Sequence, residues 1–344
     1  MDDSALWDYE HLHYKRPAGG VFILHEGNFT YDNASLSYYD PGSGDLLNEV
    51  FYQTNGLPLG DVAQSMLIRD SLAYIVVNNS GKVMVIDHRN FAFRGKITGL
   101  TSPRYMHFLS DEKAYVSDLY ARAISVVNPR SFDLLSSIDV ELEGGAFNRH
   151  STEMMLQQGR YVFVNCWSFD NQILVIDAVE DRLVDSIRVG LQPNSMVMDR
   201  YGSIWVLCDG GYEGNPFGHE APGLYRIRSG EKAAVQILRF DQADNPSELQ
   251  ITAGGDTLYF LNRDVYRMSV LASRPECFLP SPYGNSMTGG YYGLGIDPFS
   301  SEVYVADAID FIQRGMVYRL SPRAGPLDTL RTGIVPSSFC FVAD

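Results

Sequence analysis

The sequence predicts an all-β fold, a seven-bladed β-propeller, and three observations carry that prediction. One unit recurs seven times, short apolar segments alternate with turn clusters from end to end, and no long helical pattern is evident. The plainest copy reads Arg160-Tyr-Val-Phe-Val-Asn165, Gln172-Ile-Leu-Val-Ile-Asp177, Leu183-Val-Asp-Ser-Ile-Arg-Val-Gly190, then Gln192-Pro-Asn194. An aromatic stands at one equivalent place in every copy, at Phe22, Tyr74, Tyr115, Phe163, Trp205, Tyr259 and Tyr304. Its spacing of roughly 40 to 55 residues is the period of propeller blades.

The innermost strand of each blade repeats as well. It reads Ser65-Met-Leu-Ile, Tyr105-Met-His-Phe, Glu153-Met-Met-Leu, Ser195-Met-Val-Met, Glu248-Leu-Gln-Ile, Tyr292-Gly-Leu-Gly-Ile and Ser338-Phe-Cys-Phe. The last copy stands alone at the C-terminus, and the first unit, residues 20–51, has three strands and no inner one. The ends therefore pair: residues 337–342 are expected to supply the inner strand of the N-terminal blade, closing the ring so that no sheet edge stays open. This makes residues 20–344 a single propeller domain. Residues 1–19, aromatic but without strand alternation, are expected to form an N-terminal tail, extended over the ring or partly disordered.

Composition narrows the partners. A formal net charge of -15 argues against nucleic acid, whose phosphates need clustered Lys and Arg. No apolar run is long enough for a membrane span. Cys166, Cys208, Cys277 and Cys340 show no metal spacing and read as buried free thiols.

In a propeller, the loops between second and third strands share one face with the blade-to-blade linkers and surround the central opening, the default ligand site. These loops are expected at 25–34, 78–81, 118–122, 166–171, 208–222, 262–264 and 307–315. Aromatics crowd them: Phe29, Tyr31, Tyr120, Trp167, Phe169, Tyr212, Phe217 and Phe311, with Tyr52, Tyr105, Tyr283, Tyr291 and Tyr292 in or beside the linkers. Large amphipathic rings on one loop face suggest a surface built to receive something. The longest loop, 208–222, combines glycines with Tyr212, Phe217 and His219, a composition suited to a binding loop folded back over the ring.

Catalytic signatures are missing. His25, His107, His150 and His219 lie in different units, and no Gly-x-Ser-x-Gly or His-Glu-x-x-His motif occurs. No catalytic residue, catalytic cofactor or metal ligand is assigned, and a non-enzymatic role is expected. Two other readings stay open. One is a protein- or peptide-interaction module using the same bowl. The other is a metal-dependent propeller hydrolase or lyase built on Glu26, Asp118, Glu153, Asp170, Asp209, Glu220, Glu248, Asp307 and Asp310.

The pattern Val-x-Val-Ile-Asp with a trailing Val-x-x-Ile-x-Val-Gly-x-x-Pro resembles the YncE-like propellers. More narrowly, the chain from Gly20 to Val342 resembles the Bacteroidota surface-lipoprotein branch of that group, the DUF5074-type proteins. The matching segments are Leu59-Gly-Asp-Val-Ala-Gln-Ser65, Val77-Asn-Asn-Ser-Gly81, Leu100-Thr-Ser-Pro-Arg-Tyr105, Ser151-Thr-Glu-Met154, Cys208-Asp-Gly-Gly-Tyr-Glu-Gly214, Pro246-Ser-Glu-Leu-Gln250, Asp256-Thr-Leu-Tyr259 and Tyr304-Val-Ala-Asp-Ala-Ile-Asp310.

That branch includes the BtuG-type propellers, which capture cobalamin and hand it to a TonB-dependent outer-membrane transporter. The resemblance implies a cobalamin receptor at the cell surface, lipid-anchored to the outer membrane and monomeric apart from the transporter. The anchor is inferred from the family, since no lipobox cysteine stands in this sequence. On that reading Arg104, Arg122 and Arg314 would meet the phosphate, while Asn171, Asn194, Gln192, Gln313 and Ser338 would pair with amides. His219 or His25 would approach the metal, and Trp167, Tyr212, Phe217, Tyr105 and Tyr292 would be the aromatic anchors. The ligand-contacting set is then Phe29, Tyr31, Arg104, Tyr105, Tyr120, Trp167, Phe169, Asn194, Tyr212, Phe217, His219, Tyr292, Phe311 and Gln313.

Overall fold

The computed structural model describes residues 19–141, 150–284 and 290–342. Seven four-stranded antiparallel sheets form the blades. Blade 1 consists of Val21–His25, Ser35–Asp40 and Asp45–Leu47, with Pro336–Phe341 as its innermost strand. Blades 2 to 7 follow in chain order, their innermost strands being Ala63–Arg69, Pro103–Phe108, Thr152–Gln158, Pro193–Met198, Ser247–Ile251 and Tyr291–Ile296. The expected tail, at residues 1–18, lies outside the described residues, as do residues 285–289 of the linker before blade 7.

The ring closes as the lone C-terminal strand predicts. Val21, Phe22, Ile23 and Leu24 pair antiparallel with Phe341, Cys340, Phe339 and Ser338. Without this strand, both the Val21–His25 edge and the flank of blade 7 would meet water.

The core is divided among the blade interfaces. Each second strand is apolar on both faces, as in Leu72-Ala-Tyr-Ile-Val-Val77, because successive side chains point to opposite sides and each side meets a neighbouring blade. Ile75 and Val77 join Phe22 and Leu24 of blade 1, whereas Tyr74 and Val76 join Met106, Ala114 and Val116 of blade 3. Seven such clusters alternate with seven sheets around the ring. Six of the seven repeated aromatics are buried; Phe163 is half-buried.

Turns follow from the Asp or Asn that ends most third strands. Asp40, Asp87, Asn128 and Asp177 each accept a backbone N–H from two residues further on, at 2.8 to 3.1 Å, the Asx geometry that starts a turn. One short helix, Val50–Asn55, interrupts the linker after blade 1 and buries Val50 and Phe51 while leaving Tyr52 exposed. Among the cysteines, Cys166, Cys208 and Cys340 are buried thiols outside any disulfide, as expected. Cys277 departs from that expectation: it lies exposed on an outermost strand, which has no outer neighbour to cover it.

Candidate functional site: an aromatic mouth over a polar axial ring

The second-to-third strand loops and the blade linkers share one face, tied together by backbone bonds. Glu26 N–H reaches Val335 O, Leu119 N–H reaches Ser102 O, Gln192 N–H reaches Asp170 O, and Ala308 N–H reaches Gly290 O. The loops begin and end within a residue or two of the positions read from the sequence.

Seven aromatics of the second-to-third strand loops project from this face. Phe29, Tyr31, Tyr120, Phe169, Tyr212, Phe217 and Phe311 are 37 to 75% exposed. Two of them are propped by neighbours: Phe217 packs on Phe169 with ring centroids 5.1 Å apart, and Phe311 meets Tyr292 edge-on at 5.3 Å. The long loop folds back as expected. Gly211 and His219 form a bridge, Asn215 Nδ2 donates to Gln192 Oε1 at 3.1 Å, and Glu220 Oε1 accepts Leu191 N–H at 2.6 Å. His219 is exposed at the edge of this loop. Trp167 is half-buried, its Nε1–H donating to Asp209 at 2.8 Å.

Beneath the mouth lies a feature that single residues in the sequence do not announce. Every innermost strand carries a register irregularity near its start, between Ala63 and Ser65, Pro103 and Met106, Thr152 and Met155, Pro193 and Ser195, Ser247 and Gln250, and Tyr291 and Gly293, with its counterpart in blade 1 opposite Leu24 and His25. A bulge breaks the alternation and re-aims a side chain. The first residue skipped in each blade is Gln64, Arg104, Glu153, Asn194, Glu248, Tyr292 or Ser337, polar in every case; blades 3, 4 and 6 skip a second residue, Tyr105, Met154 and Leu249.

The polar residues among them meet around the axis. Arg104 lies against Glu153 and donates through Nη1 to Gln64 Oε1 at 2.5 Å. Tyr292 donates to Glu26 Oε2 at 3.0 Å, and Asn194 Nδ2 donates to Pro246 O at 2.7 Å. Coulombic coupling crosses the ring, from Tyr105 of blade 3 to Glu248 of blade 6 and from Arg104 to Glu26.

Desolvation sets the charge states. Burial pushes Glu248 up to about 8, with the nearby Glu26 charge adding to it. Burial also raises Glu26, against the hydrogen bond from Tyr292 and the attraction of Arg104. Burial alone would lower the Arg104 pKa, but Glu153 opposes this and holds the guanidinium charged.

The other residues read from the sequence take mixed places. Gln313 is exposed and bonds Asp310 and Arg331. Arg122 pairs with Glu141 and Arg314 with Glu49, so none of the three candidate phosphate arginines is free of a carboxylate. His25 is fully buried, bonded to Ser35 O and depressed to about 3 by desolvation; it cannot reach a ligand in the mouth. Ser338 lies one residue beyond the bulge, where Ser337 occupies the ring position.

Several of the acidic residues on this face cap turns. Asp118 accepts N–H groups from Ser102, Tyr120 and Ala121, Asp307 accepts from Ile309, and Asp310 accepts from Ile312 and Gln313. Among the described residues, one group has the make-up of a metal site: His150, Cys166 and Asp170, all buried, with ligand atoms within 4.8 Å of one another. Its imidazole Nδ1 is already held by Asp170 at 2.5 Å.

Sequence reasoning missed Gln64 and Ser337. A signal was present: a polar residue stands just ahead of the inner-strand apolar pattern in Gln64-Ser-Met66, Arg104-Tyr-Met106, Glu153-Met-Met155 and Asn194-Ser-Met196.

Residues 19–314 match the family described as a domain of unknown function, DUF5074. No curated protein matches. Among solved structures, the chain is similar to the periplasmic gluconolactonase of Pseudomonas aeruginosa, with 14% identity over 94% of this chain and 99% of that one and a TM-score of 0.65. It is also similar to a quinonprotein alcohol dehydrogenase-like protein of Bacteroides thetaiotaomicron, with 12% identity, 93% and 77% covered, and a TM-score of 0.67. Hydrazine synthase of Kuenenia stuttgartiensis gives 17% identity, 81% and 89% covered, and a TM-score of 0.65. At these identities the likeness is one of fold.

Proposed function

We propose, from the premise that this chain belongs to the DUF5074 family, that it is a non-enzymatic ligand-binding propeller. On this proposal it captures cobalamin at the cell surface, where a lipid anchors it to the outer membrane, and passes it to a TonB-dependent transporter. The observation that carries a binding role is the mouth: seven large aromatics 37 to 75% exposed on one face of a closed ring. Exposed apolar area gathered in one place costs solubility unless a ligand covers it.

Cobalamin as the ligand rests on the family resemblance, and the site chemistry supports it. The aromatics would cover the apolar corrin edge. The axial ring offers Gln64 and Asn194 to peripheral amides, and a protonated Glu248 could donate to an amide carbonyl. Because the blades are locked by their interfaces, little ordering cost would fall on binding.

The test is titration of the purified chain with cyanocobalamin, following heat and the retention of red colour through desalting. Tight one-to-one binding is expected. No binding at tens of micromolar, a limit that leaves about 6 kcal/mol of association undetected, would overturn cobalamin as the ligand.

A further inference from the structure

A second cavity opens on the opposite face, between blades 4 and 5. Its volume is about 300 Å³, and Phe163, Val175, Ile187, Ile204 and Ile227 line it. At its rim the ammonium of Lys232 and the carboxylate of Asp185 pair at 2.5 Å.

The internal repeat explains why it exists. At each of the three preceding interfaces, the second-strand aromatic meets the turn between third and fourth strands of the next blade. Phe22 packs edge-on against Phe91 at 5.8 Å, the Tyr74 hydroxyl donates to Pro129 O at 3.0 Å, and the Tyr115 hydroxyl donates to Asp181. At the fourth interface both partners are lost. Phe163 has no hydroxyl, and the facing turn presents Gly230, at φ +78, with no atom within 4 Å of where a Cβ would stand. Phe163 is accordingly half-buried, whereas the other six repeated aromatics are buried.

We propose that this cleft is a second ligand site, independent of the mouth, that takes a monocyclic aromatic of the phenol class. Its ring would lie among Phe163, Ile187 and Ile204, where neighbouring interfaces hold a ring or hydroxyl of their own, and its hydroxyl would face the Asp185–Lys232 pair. The space is sufficient, since an apolar cavity of roughly 150 Å³ already holds benzene. An apolar wall with exposed charged pairs along its rim, Asp185–Lys232 and Arg228–Glu231, suits a ring with a single polar head.

The experiment is titration of the whole chain with p-cresol, read by calorimetry and by intermolecular NOEs. Saturable one-to-one binding is expected, with NOEs from the cresol ring to the methyls of Ile187, Ile204 and Ile227. Val175→Phe, which adds a ring beside Phe163, should weaken binding at least about tenfold, and Tyr212→Ala in the mouth should leave it unchanged. 4-Methylcyclohexanol should bind several-fold more weakly. No saturable binding, NOEs only to methyls outside the cleft, or equal affinity for the saturated alcohol would overturn the proposal. If Val175→Phe does not fold, the NOE pattern of the unaltered chain decides.

Discussion

The Arg104 Nε–H lies 2.9 and 2.8 Å from the two carboxylate oxygens of Glu153, joining the bulges of blades 3 and 4 with only 15% and 3% of their side chains exposed. An ion pair this sheltered is held by geometry, and removing Arg104 leaves Glu153, whose pKa burial already raises, either to take up a proton or to stay charged without water. Arg104→Ala should therefore cost about 3 to 5 kcal/mol, whereas Arg104→Met combined with Glu153→Met should recover most of it. Denaturant unfolding of the two variants measures this; a single-mutant cost below about 1 kcal/mol would mean that water reaches the ring freely.

Glu248 makes stability depend on pH in a defined direction. Its carboxyl sits at about 8 in the folded chain against 4.5 ordinarily, so the folded state retains a proton that the unfolded chain has released. This stability is fully present below pH 4.5 and is lost as pH rises through about 8. Glu248→Gln, which mimics the protonated form, should melt a few degrees higher than the parent at about pH 9 and equally near pH 4. Equal melting at both pH values would show that Glu248 ionises normally.

Ring closure can be tested by truncation. Ending the chain at Val335 removes Phe339, Cys340 and Phe341, which pack or pair against blades 1 and 7, and exposes the Val21–His25 sheet edge together with the flank of blade 7. Loss of the cooperative thermal transition is expected. A truncated chain melting like the full one would refute the role of this strand.

The mouth predicts graded losses of cobalamin affinity. Tyr212→Ala and Phe217→Ala should each weaken binding about tenfold or more, the cost typical of a buried aromatic anchor. Trp167→Ala should do the same and also remove one of the hydrogen bonds that hold Asp209, leaving those from Gln192 and Gly211. Unchanged calorimetric affinity in all three variants would move the site off this face.

Much of the fold was legible because a propeller repeats its physics. Each second strand is apolar on both faces, so Leu72-Ala-Tyr-Ile-Val-Val77 and Ile204-Trp-Val-Leu-Cys208 announce themselves, and the unpaired Ser338-Phe-Cys-Phe motif predicted the closure that Val21 and Phe341 make. The exposed aromatics of the loops were legible too, since residue type and loop position sufficed to find them.

The axial ring was legible only in part. Arg104, Asn194 and Tyr292 were found as candidate contacts, whereas Glu153 and Glu248 could be read only as acidic residues on the right face, because the polar residue ahead of each inner-strand pattern does not show how two strands pair around a bulge. The arginines show the same limit: that Arg104, Arg122 and Arg314 are each held by a carboxylate depends on residues 49, 19 and 265 positions away. Period and composition are local properties of the chain, and they determined the blades, their number, their closure and the face that carries the mouth. Which side chains converge on the axis, which charges are paired and where the repeat leaves a cavity were decided by the tertiary structure, since each depends on distances between blades that no single blade contains.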